Sequence, residues 1–164
     1  MPNQGLRYGQ GINVMPVLAP VDQGNAGTDV TQYVDCQDAA WVTFLVMFGN
    51  MTSDASDTVT IVVDCSTDGS TTGESIAYDY RLSSAVAVNT WGAITASTSD
   101  GTAIVGATDD NKAILIDIDP ADVAAAKEGA RWCRLELTNV GPISLVAACA
   151  FLEYRWPANT MTSS

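Results

Sequence analysis

The sequence predicts an all-β protein built as a two-sheet β-sandwich, and three observations carry that expectation. Apolar, β-branched runs recur along the chain, giving about eight or nine strands at roughly 8–15-residue spacing. The gaps between them are rich in Ser, Thr, Asp and Gly, the residues that make turns. The run Trp41-Val42-Thr43-Phe44-Leu45-Val46-Met47-Phe48 is aromatic and β-branched, a composition that suits a pleated sheet. Among sandwiches a jelly-roll-like arrangement is the first choice and an immunoglobulin-like one the second, because pattern alone does not order the strands. No internal repeat of fixed period is present.

Residues 1–28 read as an extended N-terminal arm, and residues 29–164 as the sandwich domain. Gly5, Gly9, Gly11, Pro16, Pro20, Gly24 and Gly27 punctuate the arm, with Ile12, Val14, Met15, Val17 and Leu18 set among them. A central strand would tolerate neither proline in its middle. An apolar arm in water either wraps back onto its own domain or lies across a neighbour.

The domain then proceeds strand by strand. A short strand is expected at 30–34, leading into 40–48. There Trp41, Thr43, Leu45 and Met47 face one way, and Val42, Phe44, Val46 and Phe48 the other. Both faces are apolar, whereas an antiparallel sheet usually turns one face to water. Residues 51–57 form a polar loop. Residues 58–65 form a strand with Val59, Ile61 and Val63 on one face. A turn at 66–73 precedes a less regular strand at 75–81. Another strand is expected within 85–95, which holds Trp91. Ser99-Asp100-Gly101 and Asp109-Asp110-Asn111 are turns by composition.

Lys112 to Ile118 forms the next strand. One short helix is expected near 120–127: Asp119 caps it, Pro120 takes the first helical position and Gly129 stops it. Residues 131–138 alternate, with Cys133, Leu135 and Leu137 inward and Arg134 and Glu136 outward. Gly141-Pro142 is read as a turn. The last strand, 143–154, is apolar on both faces like the run at 41–48, and the two are expected to pair at the centre of one sheet.

Charge and composition exclude several functions. The chain of 164 residues carries 7 basic and 19 acidic side chains and no histidine, a net charge of −12. Nucleic acid and anionic membrane surfaces would be repelled. The opening residues lack the pattern of a signal peptide, and no apolar run reaches the length of a membrane helix. This predicts synthesis in a cytoplasm without a membrane partner. At this length roughly 68–70% of the unfolded surface is buried on folding, so no staple is needed. Cys36, Cys65, Cys133 and Cys149 form no C-x-x-C pair, and Cys133 and Cys149 read as small buried hydrophobes.

Chemistry has little to stand on. Without histidine there is no Ser–His or Cys–His pair. The carboxylates sit mainly in turns and at strand ends. The expectation is a non-enzyme with no cofactor and no metal. Asp64-Cys65-Ser66-Thr67-Asp68-Gly69-Ser70 is similar to the opening of a calcium loop. It has Ser75 at the twelfth position, with Glu74 adjacent, and it follows a strand, so a hairpin turn is the favoured reading. Asp117, Asp119 and Asp122 read as a strand end plus a helix cap. Trp41, Trp91, Trp132 and Trp156 read as core and interface anchors in preference to a sugar-binding platform.

Several segments taken in order carry a family resemblance. They are the glycine-rich apolar arm, the strand ending Phe48-Gly49, Thr58-Val59-Thr60, Ile114-Leu115-Ile116-Asp117-Ile118, the short helix, Arg131 to Leu137, and Glu153-Tyr154-Arg155-Trp156-Pro157. This layout resembles the small structural proteins of tailed-bacteriophage heads, in particular capsid decoration (cement) proteins of jelly-roll type. The resemblance implies a protein of the virion exterior, made in the host bacterial cytoplasm. It would bind the major capsid protein and clamp neighbouring subunits as a homo-oligomer, with a trimer favoured. Ile12, Val14, Met15, Val17, Leu18 and Trp156 are the expected contact residues. A phage tail or neck component and a carbohydrate-binding β-sandwich module are the alternatives.

Overall fold

Alternation of apolar side chains writes the strands. In β3 (Ala39–Phe48), Val42, Phe44, Val46 and Phe48 are buried while Trp41 and Met47 are exposed. In β9 (Ala113–Ile118), Ile114, Ile116 and Ile118 are buried. In β4 (Thr58–Ser66), Val59, Ile61 and Val63 point into the same core. The computed structural model describes residues 12–51, 56–71, 73–85 and 88–154. The remaining strands are β1 (Ile12–Val30), β2 (Val34–Asp35), β5 (Ser75–Ile76), β6 (Asp79–Leu82), β7 (Thr95–Ala96), β8 (Thr102–Val105) and β10 (Trp132–Tyr154).

Over the described residues the chain is a sandwich of two six-stranded antiparallel sheets with two short helices. Hydrogen bonding is nevertheless continuous through ten strands. The two descriptions meet in β1 and β10, which each serve both layers. Residues 132–140 of β10 pair with β4, and residues 146–154 pair with β3. The first sheet thus holds one half of β1, β2, one half of β10, β4, β5 and β8. The second holds the other halves of β1 and β10 together with β3, β9, β6 and β7. Strands that pass from one layer to the other make the corners of such packings.

The expected turn at Gly141-Pro142 is replaced by this corner. Gly141 has φ +89°, a left-handed conformation open to glycine at little cost. A Cβ there would collide with the carboxylate of Asp57. The backbone bends without leaving the ladder, so one strand runs where two were expected.

β1 occupies residues 12–30, and the boundary expected at residue 28 falls inside it. It pairs with β10 alone, from Ile12↔Glu153 to Val30↔Glu136. It is an edge strand in both layers, and edges accept proline. The ladder shifts register between Pro16 and Leu18 and again between Leu18 and Val21, next to both prolines. The strand expected at 30–34 is instead the end of β1 and the start of β2. Between them, Thr31 accepts a hydrogen bond from Leu135 N on its Oγ1 (2.9 Å) and donates its own N–H to Leu135 O (2.9 Å).

The helix Pro120–Ala126 forms as expected. Asp119 Oδ1 accepts from Ala121 N at 2.8 Å, and Gly129 follows with φ +80°. Its Pro120 and Val123 are buried against the sandwich. β8 and the single-turn helix Gly106–Asp109 were not expected. The strand expected within 85–95 reduces to a bridge between Ser83 and Trp91, followed by β7.

Candidate functional site

The two outer faces of the sandwich differ in chemistry. On the first sheet the outer side chains mix partnered polar groups with two exposed valines, Val30 and Val140. Arg134 Nε lies 3.6 Å from Asp64 Oδ2, and its guanidinium stands 4.7 Å over the Tyr33 ring. Ser75 Oγ donates to Asp64 Oδ1 at 3.1 Å. Thr28 and Thr138 share a hydrogen bond of 3.0 Å.

The outer face of the second sheet carries a group of exposed apolar side chains. Strand register sets its rows. Thr43 lies between Phe151 and Asp117, Leu45 between Cys149 and Leu115, and Met47 between Ala147 and Ala113. β3 and the end of β10 are therefore neighbours inside this sheet, as their matching composition suggested. The large side chains here meet solvent: Trp41 is 48% exposed, Met47 43%, Leu145 54% and Val14 45%. Neither β1 nor the helix Pro120–Ala126 covers them.

At one end of this face the polarity changes. Trp41 stands where three shallow depressions meet. One, about 290 Å³, is lined by Trp41, Trp91, Thr43, Arg81, Asp117 and Glu153 among others. A second, also about 290 Å³, adds Asp79 and Ile94. A third, about 250 Å³, adds Tyr78, Ser97, Asp119 and Asp122. Asp117 organises the polar side. It accepts from Thr43 Oγ1 at 2.7 Å and from Arg81 Nη2 at 3.4 Å. Arg81 Nε is buried without a hydrogen-bond partner.

The residues expected to make contacts fall on different sides of β1. Val17 is buried in the protein's own core, and Met15 and Leu18 pack against it. Val14 faces solvent on the outer side, and Ile12 lines the depression beside Trp41. Trp156 lies outside the described residues. None of the three described tryptophans is a core residue. Trp132 is half-buried where the turn at Gly69 crosses it, so that a Cβ at Gly69 would stand 2.9 Å from its ring. Arg131 lies 5.2 Å from the Trp132 ring centroid.

The Asp64–Ser70 segment folds as a turn around its own carboxylate. Asp68 Oδ1 accepts from Ser70 N and Thr71 N, both at 2.8 Å, and from Ser66 Oγ at 3.0 Å. The backbone hydrogen bonds from Thr71 and Ser70 hold this carboxyl well below the usual carboxylate range. Asp64 faces Arg134 and Ser75 instead of Asp68. Among the described residues no group of three potential ligands is placed to hold a metal ion.

The cysteines divide. Cys36, Cys65 and Cys133 are core residues, with Cys36 Sγ 3.2 Å from Cys133 Sγ. Cys149, expected to be buried, is half-exposed on the outer face beside Leu45. The alternation of β10 puts Ala148 and Ala150 inward, which leaves Cys149 outward.

No family model matches this sequence, and no curated protein is similar to it in sequence. Among solved structures the chain is similar to the SPBc2 prophage-derived protein YomS. The two are 12% identical, with 92% of this chain and 98% of that one covered and a TM-score of 0.37. A weaker similarity is to a chain of infectious bursal disease virus, Gt strain: 10% identity, 87% of this chain, 36% of that one, TM-score 0.27. Among the described residues no helix is long and apolar enough to cross a membrane.

Arg81 and Asp117 were not singled out as a pair by sequence reasoning, and Trp91 was not joined to Trp41. Arg81 and Asp117 are 36 residues apart in sequence and meet only because β6 pairs with β9. No local motif signals such a meeting.

Proposed function

We propose that this chain is a non-enzymatic structural protein of a phage particle. It attaches to the outside of the capsid, contacts the major capsid protein and ties neighbouring subunits together. It acts as a homo-oligomer, with a trimer the favoured form. The observation that supports this reading is the uncovered apolar face of the second sheet, centred on Met47, Leu145 and Val14. Apolar patches of this kind mark protein-binding surfaces more often than they decorate a free monomer. The opposite face carries the Arg134–Asp64 and Thr28–Thr138 contacts, with Val30 and Val140 as its exposed apolar side chains. Many weak copies on one shell bind tightly through avidity, so each contact can be modest.

The test is binding to purified expanded and immature shells, together with the mass of the protein in solution. The reading expects an oligomer that decorates expanded shells and leaves immature ones bare. Met47→Asp with Leu145→Asp should weaken shell binding at least about tenfold, roughly 1.4 kcal/mol, with little loss of stability because both side chains are exposed. A strict monomer that ignores both kinds of shell sinks the proposal.

A further inference from the structure

We propose that the depression between Trp41 and Trp91 is a binding site for a saccharide that carries no acidic groups. This goes beyond shell attachment and does not depend on it. A sugar ring has apolar C–H faces and a rim of hydroxyls. A site for it needs exposed aromatic surface for the faces and a few fixed polar groups for the rim. Both occur here. Trp41 comes from β3 and Trp91 from the far side of β6, and they line the same depression. Their neighbours in it are Thr43, Arg81, Asp117 and Glu153. Tryptophan gives the largest rigid apolar surface of any side chain, with an N–H that can also donate.

The polar groups retain capacity. A carboxylate accepts about four hydrogen bonds, and the Asp117 side chain receives one from Thr43 and a long one from Arg81. The Thr43 and Arg81 bonds also fix the Asp117 carboxylate in place, so little ordering remains when a hydroxyl arrives.

Shape and charge narrow the ligand. The depression is shallow, and its volume of about 290 Å³ suits a single ring. Two further depressions share Trp41, with volumes of about 290 and 250 Å³. Trp41 is therefore a divide between adjoining positions, which suits several linked rings better than one. The three together are lined by Asp79, Asp117, Asp119, Asp122 and Glu153, against Arg81 as the one basic residue. Uronates and phosphorylated or sialylated glycans would be repelled. Uncharged sugars would not be, and amino sugars would be attracted. The same charge disfavours a second copy of this chain at this end of the sheet. The Met47–Leu145 end carries less of it, with Asp22 beside Leu145, and that is where a protein partner fits.

The experiment is tryptophan fluorescence and calorimetry on the full chain. The probes are cellohexaose, chitohexaose, the chitosan hexamer and oligogalacturonate. Binding is expected for at least one of the first three and not for oligogalacturonate. Trp91→Ala lies in a loop and should keep the melting temperature while weakening binding at least about tenfold. Trp41→Thr keeps a strand-forming residue and should do the same. Asp117→Asn should weaken binding less. No binding to any neutral or amino sugar overturns the proposal, and so does equal binding by Trp91→Ala. Shell binding measured in parallel separates the two readings. A Trp91→Ala protein that decorates shells but has lost the sugar confirms a separate site. One that loses shells, from a parent that binds no sugar, overturns this inference alone.

Discussion

Cys36 and Cys133 hold their sulfurs 3.2 Å apart in the core. The hydrogen bond with Cys36, and then burial, push the Cys133 thiol well above its usual value. The thiolate is the reactive form, so this pair should resist oxidation while folded. With diamide as oxidant, the two thiols would lose two protons and two electrons and form one disulfide, with the diamide reduced to its hydrazine. The expected result is little change in intact mass in native buffer and a loss of two hydrogens in mild urea. Rapid closure in native buffer would show the core opens readily. Cys65 gives a pH signature. Burial, then Cys36 and Asp64, raise its thiol from 9.0 to about 12. The unfolded chain releases that proton near 9.0 and the folded chain near 12. Stability is therefore complete below pH 9 and falls as pH rises toward 12. Tyr78, raised chiefly by burial from 10.0 to about 12, adds to the same decline. Melting in reductant across this range should show it, and Cys65→Ala should flatten its early part. A melting temperature level up to pH 11 would contradict the assignment.

Among elements, the corner in β10 is the most exacting. Gly141→Ala places a non-glycine residue at φ +89° and drives its Cβ into Asp57. Backbone strain of this kind costs about 1–3 kcal/mol before the clash is counted. Urea denaturation should show a drop at least that large, and a smaller one would mean the corner relaxes. This element also shows what was legible in the sequence. The alternations at 41–48, 58–65 and 113–118 were readable because tertiary context agreed with them. The Asp119 cap was readable because its hydrogen bond is local. The corner was not, because Gly-Pro is turn chemistry and nothing local says that pairing continues through it. β1 was read as an arm because prolines argue against a central strand, yet an edge strand admits them. The candidate site was half legible. The alternation separated Trp41 from Val42, Phe44 and Val46 without saying which row faces the core, and Arg81, Trp91 and Asp117 come together only through strand pairing.

For the whole molecule, the decisive property is that its two outer faces are unlike. A chain with net charge −12 repels its own copies at long range, yet Met47 and Leu145 stand exposed on one outer face, with Asp22 as the cross-strand partner of Leu145. Such a molecule should associate through the Met47–Leu145 face. Deleting residues 1–20 tests how far β1 belongs to the body. The deletion removes Val17 from the core and strips Met15 and Leu18 from its edge. A loss of at least about 3 kcal/mol in chemical denaturation is expected, and an unchanged midpoint would mean β1 contributes only reach. β10 also has a consequence for how the protein comes into being. It lies between β1 and β3 in one sheet and between β1 and β4 in the other, yet it is the last of the described strands in chain order. Residues 1–131 already hold β3, β9, β6 and β7 of the second sheet, while β1 and β4 still lack the strand that joins them to it. Contacts this remote in sequence make folding slow. The apolar face is complete only once β10 lies between β1 and β3, so a nascent fragment presents the β3–β9 part of it without Leu145.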